Sequence, residues 1–247
     1  MIDIYIHDTK VSLTNKDYVV NYFRNYDYDK TGYVCLCGLY TLTQSFENIE
    51  LQKALNESII NPLHGRLIEV YAKRKGHSNI ETIDGVWLLE RLLNEDITHY
   101  IYGASNDTLG KMKNRIEKDF PRAKVLGYKS PPYVGLNKIK NNNTIKKDIE
   151  IICEQKPDIV WIGISGVKQE YLMNHYNQYL DRGVLIGVGA VFDYFSGNIK
   201  LSPPWVKKMG LRWLYRLVQQ PWLINKLLQI IPICFKVIVE RLLNKTT

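Results

Sequence analysis

Apolar runs with the spacing of β-strands alternate with helix-like segments along most of the chain. Near the start, Ile2, Ile4 and Ile6 alternate with polar residues, which predicts an opening strand or hairpin. From about residue 30 onward, each run typical of a buried strand is followed by a segment of helical periodicity. We therefore expect an α/β fold with a modified Rossmann-like, mainly parallel sheet and helices on both faces.

The same pattern places the individual elements. Buried strands are predicted at Gly32–Gly38, Thr98–Gly103, Ala123–Tyr128, 157–163 and in the run ending at Gly187 and Gly189, with a short strand at Ile59 and Ile60. Helices are predicted at Lys16–Arg24, Leu39–Ser58, Leu67–Lys75, Asp84–Leu93, from Asn106 to about Asp119, up to Gln155, and from near Val167. The polar run Lys138–Lys147 is predicted to be loop.

Glycines mark the ends of several predicted strands, at Gly38, Gly103, Gly163, and Gly187 with Gly189. Because ligands in such folds sit beyond the carboxyl ends of the strands, these glycines indicate a binding edge. Glycine lets the backbone approach a ligand, and the helix that follows Gly163 offers free N–H groups that suit a phosphate. The spacing matches neither the dinucleotide fingerprint nor the P-loop, and glycines that merely permit tight turns remain the alternative.

Polar side chains near these turns are candidates to contact a ligand. Gln169 offers both a donor and an acceptor, whereas the neighbouring Glu170 is expected to favour the positive end of the helix dipole. Asp193 follows a strand end, where it either accepts from sugar hydroxyls or caps a helix that starts at Tyr194. Asp84 is predicted to cap the free N–H groups of its own helix.

The excess positive charge is confined to the C-terminal end. After Asn198 the chain has nine basic residues and one acidic residue. The net charge of this segment, +8, equals the net charge of the whole chain. A polyanionic partner should therefore meet this end. The segment from Trp205 onward is also broadly apolar, which fits helices lying in an anionic membrane interface and argues against nucleic acid. The alternative is a helix packed on the domain with its charges in solvent.

These features divide the chain into an α/β domain at 1–200 and a basic amphipathic appendage at 201–247. The four cysteines include no CxxC pair, so neither a metal site nor a disulfide scaffold is expected. The N-terminus shows no signal-peptide pattern, and no window of about 18 residues is free of charge, so a spanning helix is not expected.

The stretch from Pro157 to Pro221 resembles the WecG/TagA/CpsF family, glycosyltransferase family 26. The resemblance rests on Pro157-Asp158, on the triplet Lys168-Gln169-Glu170, on Gly187-Val188-Gly189 with Phe192-Asp193, and on Trp205, Gly210-Leu211, 213–217 and Pro221. More weakly, 51–57, Asp84 and 102–104 extend the likeness over most of the chain.

The resemblance implies an inverting, metal-independent transferase without a cofactor, bound peripherally at the cytoplasmic membrane face. Its expected partners are a UDP-sugar donor, a polyprenyl-diphosphate-linked glycan acceptor and the anionic membrane surface, in capsule, exopolysaccharide or teichoic acid synthesis. The candidate donor-binding residues are Gly103, Ala104, Gly163, Ser165, Gln169, Gly187, Gly189 and Asp193. Asp84 is a further site candidate, and Trp205, Arg212 and Arg216 are candidates for acceptor or membrane contact.

Several positions depart from the family pattern, mostly in the N-terminal half. Leu36 and Gly38 replace threonine and asparagine, His64 replaces the aspartate placed as base, Asn79 replaces an arginine, Leu201 replaces a basic residue, and Arg212 replaces a glutamate. In one interpretation His64 takes over as general base, since an imidazole can accept a proton at neutral pH. In the other, activity is changed or lost and His64 is a surface turn residue.

Two other functions stay open beside the transferase. A non-catalytic membrane partner would keep the fold and assist another transferase. A nucleotide-binding oxidoreductase is less favoured, because the dinucleotide fingerprint is missing. A homo-oligomer also stays open, since an apolar tail could bury itself in a second copy of the chain.

Overall fold

A computed structural model of the chain describes residues 1–62, 66–74, 76–203, 205–206, 209 and 211–232. Within these residues the strands, numbered β1 to β7, lie at Ile2–Ile6, Thr9–Leu13, Thr31–Cys35, Thr98–Gly103, Lys124–Lys129, Ile159–Gly163 and Gly183–Gly187. The helices α1 to α9 lie at Lys16–Arg24, Leu39–Ser45, Ile49–Asn56, Arg66–Arg74, Gly85–Leu92, Asn106–Asp119, Asn143–Gln155, Lys168–Tyr176 and Val191–Phe195. In the appendage, α10 lies at Arg212–Gln219 and α11 runs from 224 through 232.

The central sheet has the strand order β3-β7-β6-β4-β5, and all its neighbouring pairs are parallel. This confirms the fold class predicted from the alternation of strands and helices. The predicted opening hairpin is β1 paired with β2. Short parallel bridges, Val34 with Ile60 and Ser12 with Pro62, connect this hairpin to β3. The outer edge of β3 is thus covered, which removes a row of unpaired backbone groups.

Both faces of the sheet are buried. On β6, Val160 and Ile162 belong to the apolar cluster on one face, whereas Ile159 and Trp161 belong to the cluster on the other. Successive side chains of a strand point to opposite faces, so a strand covered on both sides must be apolar throughout. This explains the uninterrupted apolar run Ile159-Val160-Trp161-Ile162.

Side-chain caps decide where several helices begin. The predicted single helix Leu39–Ser58 is wrong, because the chain breaks after α2 and Asn48 then caps α3 by accepting from the Leu51 N–H. The predicted loop Lys138–Lys147 is also wrong in its second half. There Asn142 accepts from the N–H groups of the first turn of α7.

Candidate active site

The connections after β4 and β6 leave the sheet in opposite directions, toward β5 and β7 respectively. Such a reversal opens a crevice between the carboxyl ends of the two strands, and ligands of open α/β sheets bind there. Gly103 and Gly163 pair at this point, and a Cβ on Gly103 would lie 2.5 Å from the Gly163 carbonyl oxygen. Only glycine allows the strands to end so close together, so these glycines lie at the crevice.

The turns at the crevice contain several residues with unusual backbone angles. Ala104, after β4, has φ of 54°, while Ser165 and Val167, between β6 and α8, have φ of 132° and 72°. A β-branched residue such as valine rarely adopts a positive φ, so the Val167 backbone is strained. Strain of this kind persists where surrounding contacts enforce it, and it is concentrated at ligand-binding turns.

Gln169 connects α8 to the turn after β7. Its side-chain oxygen accepts from the Gly189 N–H at 2.8 Å, and its side-chain nitrogen donates to Glu170 at 3.0 Å. The side chain is buried, with 3% of its surface exposed. The Gln169 amide, which the sequence suggested as a ligand contact, therefore fixes the shape of the turn after β7. In this turn Gly189 lies in the left-handed region, with φ of 57°.

Glu170 is the least expected residue of the site. A glutamate in the first turn of a helix is normally solvated, but Glu170 has 0% of its surface exposed. Burial raises the pKa of its carboxyl to about 6, against the opposing effect of the Gln169 hydrogen bond. Glu170 lies in the first turn of α8, where the sequence placed it, but the sequence did not predict its burial.

Asp193 lies within α9 and not at its start, where Ala190 occupies the N-cap position. The interpretation of Asp193 as the cap of a helix beginning at Tyr194 is therefore wrong. Burial raises the pKa of its carboxyl, while a hydrogen bond with the Asn198 side chain and the charge of Arg216 lower it. Its donor-binding role stays a prediction.

Beyond β7, the end of β3 forms the other side of the edge. β3 ends at Cys35 and not at the predicted Gly38, which is the N-cap residue of α2.

The predicted cap role of Asp84 is confirmed, because one of its carboxylate oxygens accepts from the Val86 and Trp87 N–H groups. An open cleft of about 140 Å³ adjoins it, lined by Lys16, Glu69, Glu81, Thr82, Asp84 and Trp87.

The described cations of the appendage are directed at the domain. The Arg212 guanidinium donates to Asp84 at 2.6 Å, and Arg216 lies 5.8 Å from the centre of the Tyr194 ring. In α11, Lys226 lies 5.0 Å from the centre of the Tyr40 ring, in the first turn of α2. The three positive charges thus contact the domain, which was one of the two interpretations that the sequence left open, beside cations against lipid.

The opposite face of the appendage is apolar and exposed. Val218 has 76% of its surface exposed and Trp222 has 64%. The exposed large apolar side chains of this face are Trp205, Met209, Trp213, Leu214, Val218, Trp222, Ile224, Leu228 and Ile231. We call the surface that these side chains form the outer apolar face. None of the helices in the described ranges is both long and apolar enough to span a bilayer.

The family model described as Glycosyl transferase WecG/TagA/CpsF family matches residues 4–247. The chain belongs to the WecG/TagA/CpsF family. Two matching relatives are named N-acetylglucosaminyldiphosphoundecaprenol N-acetyl-beta-D-mannosaminyltransferase. The one from Bacillus subtilis strain 168 is 31% identical over 60% of this chain and 54% of its own length. The one from Staphylococcus aureus strain NCTC 8325 is 27% identical over 54% of this chain and 51% of its own length.

The chain thus spans about half the length of the curated relatives it matches. The family match runs through both the glycine turns and the appendage, which carried the sequence resemblance. His64, which the resemblance predicts as the base, lies outside the described residues, as do Gly65, Pro204 and Gly210.

Two of the departures from the family pattern lie at one place in the fold. Leu36 follows β3, and its side chain would lie 3.2 Å from a Cβ on Gly85. Arg212 reaches the adjacent Asp84. The chain therefore departs from the family pattern at two neighbouring places near the end of β3. Leu36 makes the strand end apolar, and Arg212 of the appendage forms an ion pair with Asp84.

Sequence reasoning missed two residues that line the edge. Lys168 donates to the Val134 carbonyl at 2.8 Å and lies 4.3 Å from the centre of the Tyr133 ring. Tyr133 itself is 96% exposed. An aromatic residue in a proline-rich loop directly after β5 was the available signal, because that loop must lie at the carboxyl edge.

Among the described residues, no group of three histidine, cysteine or acidic side chains could hold a metal ion.

Proposed function

We propose that this chain is a peripheral membrane glycosyltransferase that moves a sugar from a UDP-sugar to a polyprenyl-diphosphate-linked saccharide, inverting the anomeric configuration without a divalent metal ion. One observation carries the proposal most directly. The described cations of the appendage contact Asp84 at the start of α5, Tyr194 of α9 and Tyr40 of α2, while its other face is apolar and exposed. This arrangement fits a soluble anionic donor on one side and a lipid-borne acceptor on the other.

The donor diphosphate would lie at the crevice. The turn before α8 offers backbone N–H groups and the positive end of the helix dipole. Arg216 lies beside Tyr194 of α9, and Lys226 acts electrostatically on Glu170 at the start of α8. Positive charge held in place before reaction stabilises the charge that develops on a departing diphosphate, which is the task a metal ion performs in other transferases.

The acceptor sugar would lie on the β3 side, in the cleft beside Asp84. Carboxylates accept hydrogen bonds from sugar hydroxyls, and an indole offers an apolar surface with one polar tip. Glu69 and Glu81 supply the carboxylates there, and Trp87 supplies the indole. The lipid diphosphate would enter from the outer apolar face, since that face would lie in the membrane interface.

The chemistry is a single displacement. An acceptor hydroxyl oxygen forms a bond to the anomeric carbon from the face opposite UDP, the bond from that carbon to the diphosphate oxygen breaks, and UDP leaves with the electron pair. A general base takes the hydroxyl proton, and His64 is our proposal for that base. The relatives' name suggests the first pair to try, N-acetylmannosamine as the transferred sugar and N-acetylglucosaminyldiphosphoundecaprenol as the acceptor.

A second function is favoured by the altered β3 end. Leu36 presents an apolar side chain where the family pattern has a hydroxyl, and Gly38 offers no side chain. A chain that has lost these polar groups could bind donor and membrane yet serve as a partner of another transferase. Vesicle and UDP binding without transfer to any lipid-linked acceptor would support this function over catalysis.

The donor half is tested by one glycine substitution and a matched control. Gly189→Val should weaken UDP binding about tenfold or more, because a β-branched side chain strains the backbone at φ of 57°. Isothermal titration calorimetry with UDP, in the presence of EDTA, measures the effect.

Gly197→Val provides the control for backbone strain. Gly197 also has a positive φ, 82°, but a Cβ added there would have no atom within 4 Å. UDP affinity should be unchanged in this variant. Equal UDP affinities in the two variants and the parent chain would show that the donor lies elsewhere.

A further inference from the structure

The turn that follows β4 is held by a side chain from the neighbouring connection after β5. Ser130 comes directly after β5, and its hydroxyl donates to the Ala104 carbonyl at 2.6 Å. The Ala104 N–H donates to the Gly163 carbonyl, at the end of β6, at 3.0 Å. Ala104 is therefore bonded on both sides, to β6 through its N–H and to the β5 connection through its carbonyl.

These two bonds depend on the unusual backbone angles of Ala104. In an extended strand, the N–H and the carbonyl of one residue point to the same side. At Ala104 they point to opposite sides of β4, and its φ of 54° lies in the left-handed region. A residue with a Cβ adopts this region rarely, so contacts around the turn must enforce it. The bond from Ser130 is one of these contacts.

The direction of the Ala104 carbonyl also sets the direction of the Ser105 N–H. The peptide bond between the two residues is trans, and in a planar trans peptide the carbonyl and the N–H point in opposite directions. The Ala104 carbonyl points to the β5 side of β4, so the Ser105 N–H points to the β6 side, where the crevice lies. Within the described part of the chain, this N–H donates to no backbone carbonyl. It is therefore available to a ligand in the crevice.

The loop that carries Ser130 is anchored beyond its bond to Ala104. Pro131 and Pro132 follow Ser130, and each proline fixes its own φ. Further along the loop, the Val134 carbonyl accepts from the Lys168 side chain, at the start of α8, at 2.8 Å. The loop thus reaches from β5 to the beginning of α8, and the position of Ser130 does not depend on the Ala104 bond alone.

We propose that Ser130 is a positioning residue for donor binding, whose hydroxyl holds the 104–105 peptide so that the Ser105 N–H donates to a phosphate oxygen of the donor. This rests on the proposed function, which places the donor diphosphate at the crevice. A donor group that is oriented before the reaction stabilises charge on the departing diphosphate without reorganisation. Without the hydroxyl, the peptide is free to turn over, and the Ala104 carbonyl then faces the phosphate and repels it.

Calorimetry with UDP and with uridine, in the presence of EDTA, tests the role of the hydroxyl. Ser130→Ala should lower the affinity for UDP about tenfold or more, since a hydrogen bond to a charged oxygen is lost. Uridine has no phosphate and should bind with the affinity of the parent chain. Ser130→Thr keeps the hydroxyl and should bind both ligands as the parent does.

Ser58→Ala provides the matched control. The Ser58 hydroxyl also donates to a backbone carbonyl at 2.6 Å, that of Leu55 in α3. Its removal should change neither affinity, and thermal melts show that each variant is folded. A Ser130→Ala chain that loses affinity for uridine as much as for UDP would show a general loss of structure and would overturn the positioning role.

The acceptor lipid also carries a diphosphate, so steady-state kinetics must separate the two possible sources of the phosphate oxygen. In Ser130→Ala the KM for the UDP-sugar should rise, while the KM for the lipid acceptor stays near that of the parent chain. A raised acceptor KM with an unchanged affinity for UDP would overturn the assignment to the donor.

Amide NMR separates this inference from the proposed function, because it needs no turnover. In the full chain with isotope-labelled serine, Ser105→Ala identifies the Ser105 signal. That amide proton should move downfield on addition of UDP but not of uridine, and Ser130→Ala should abolish the shift. A Ser105 signal that UDP leaves unmoved would overturn the inference. A chain that transfers no sugar while its Ser105 amide responds to UDP would refute the transferase and leave the positioning role standing.

Discussion

Replacing His64 by alanine should lower kcat by about 100- to 10,000-fold while the affinity for UDP stays within about twofold of the parent chain. A positioned general base contributes an effect of this size, because it removes the proton as the acceptor oxygen attacks. UDP binding should survive because the described donor turns belong to β4, β6 and β7. Steady-state transfer kinetics and calorimetry with UDP measure the two quantities.

His77 provides the matched control. It follows α4 in a loop and is only partly exposed, and its backbone N–H donates to Ala72. His77→Ala should leave kcat unchanged. A His64→Ala chain with the parent's kcat would remove His64 from the reaction, and the interpretation of this position as an ordinary turn residue would then hold.

The second large effect concerns the two faces of the appendage. Substitutions on the face toward the domain should impair catalysis, and those on the outer apolar face should impair membrane binding. Arg216→Ala should lower kcat/KM for the donor by about 100-fold, the cost of losing one group that stabilises developing charge. Its binding to anionic vesicles should change little, because Arg216 faces Tyr194 and Gln220 on the domain side. Transfer to a water-soluble, short-chain acceptor isolates the catalytic effect from membrane binding.

Substitutions on the outer apolar face should weaken vesicle binding and leave sugar transfer intact. The triple variant Trp213→Ala, Trp222→Ala and Leu228→Ala removes side chains that contribute on the order of 1–2 kcal/mol each when they insert into lipid. Vesicle affinity should fall roughly 100- to 10,000-fold, with transfer to the short-chain acceptor retained. The control triple replaces Ile2, Tyr5 and Ile49, which are exposed elsewhere in the fold, and should bind vesicles normally. Equal vesicle binding in both triples would contradict the assignment of the membrane surface.

The sequence predicted three strand ends correctly because a glycine directly after a buried apolar run marks the point where the strand stops. Gly103, Gly163 and Gly187 end their strands as expected. The break after α2 was missed because the apolar periodicity continues through it, and only the Asn48 cap marks the new helix. The burial of Glu170 could not be predicted, since a position in the first turn of a helix does not show what packs over it.

The sequence left the orientation of the appendage open between a membrane interface and packing on the domain. Periodicity identifies an apolar and a basic face on an amphipathic helix, but it does not say which face meets the protein. Apolar faces normally pack inward, and membrane-bound cations normally face lipid. Here Arg212 and Arg216 turn toward Asp84 and Tyr194, because the edge of the sheet offers a carboxylate and an aromatic ring.

The Arg212–Asp84 pair shows how a departure from the family pattern can be read in three dimensions. The glutamate usual at position 212 would face the Asp84 carboxylate in this fold, and the arginine usual before Asp84 is Asn79 here. In this chain the pair ties Asp84 to the seating of α10.

The central claim is metal-independent sugar transfer at this site, and one assay measures it. The full chain is incubated with UDP-sugars and N-acetylglucosaminyldiphosphoundecaprenol in anionic vesicles containing EDTA, and formation of the lipid-linked disaccharide is followed together with release of UDP. We predict transfer from at least one donor, undiminished by EDTA, with the new bond of inverted configuration. Transfer abolished by EDTA and restored by a divalent ion, or a product that retains the donor's configuration, would contradict the account.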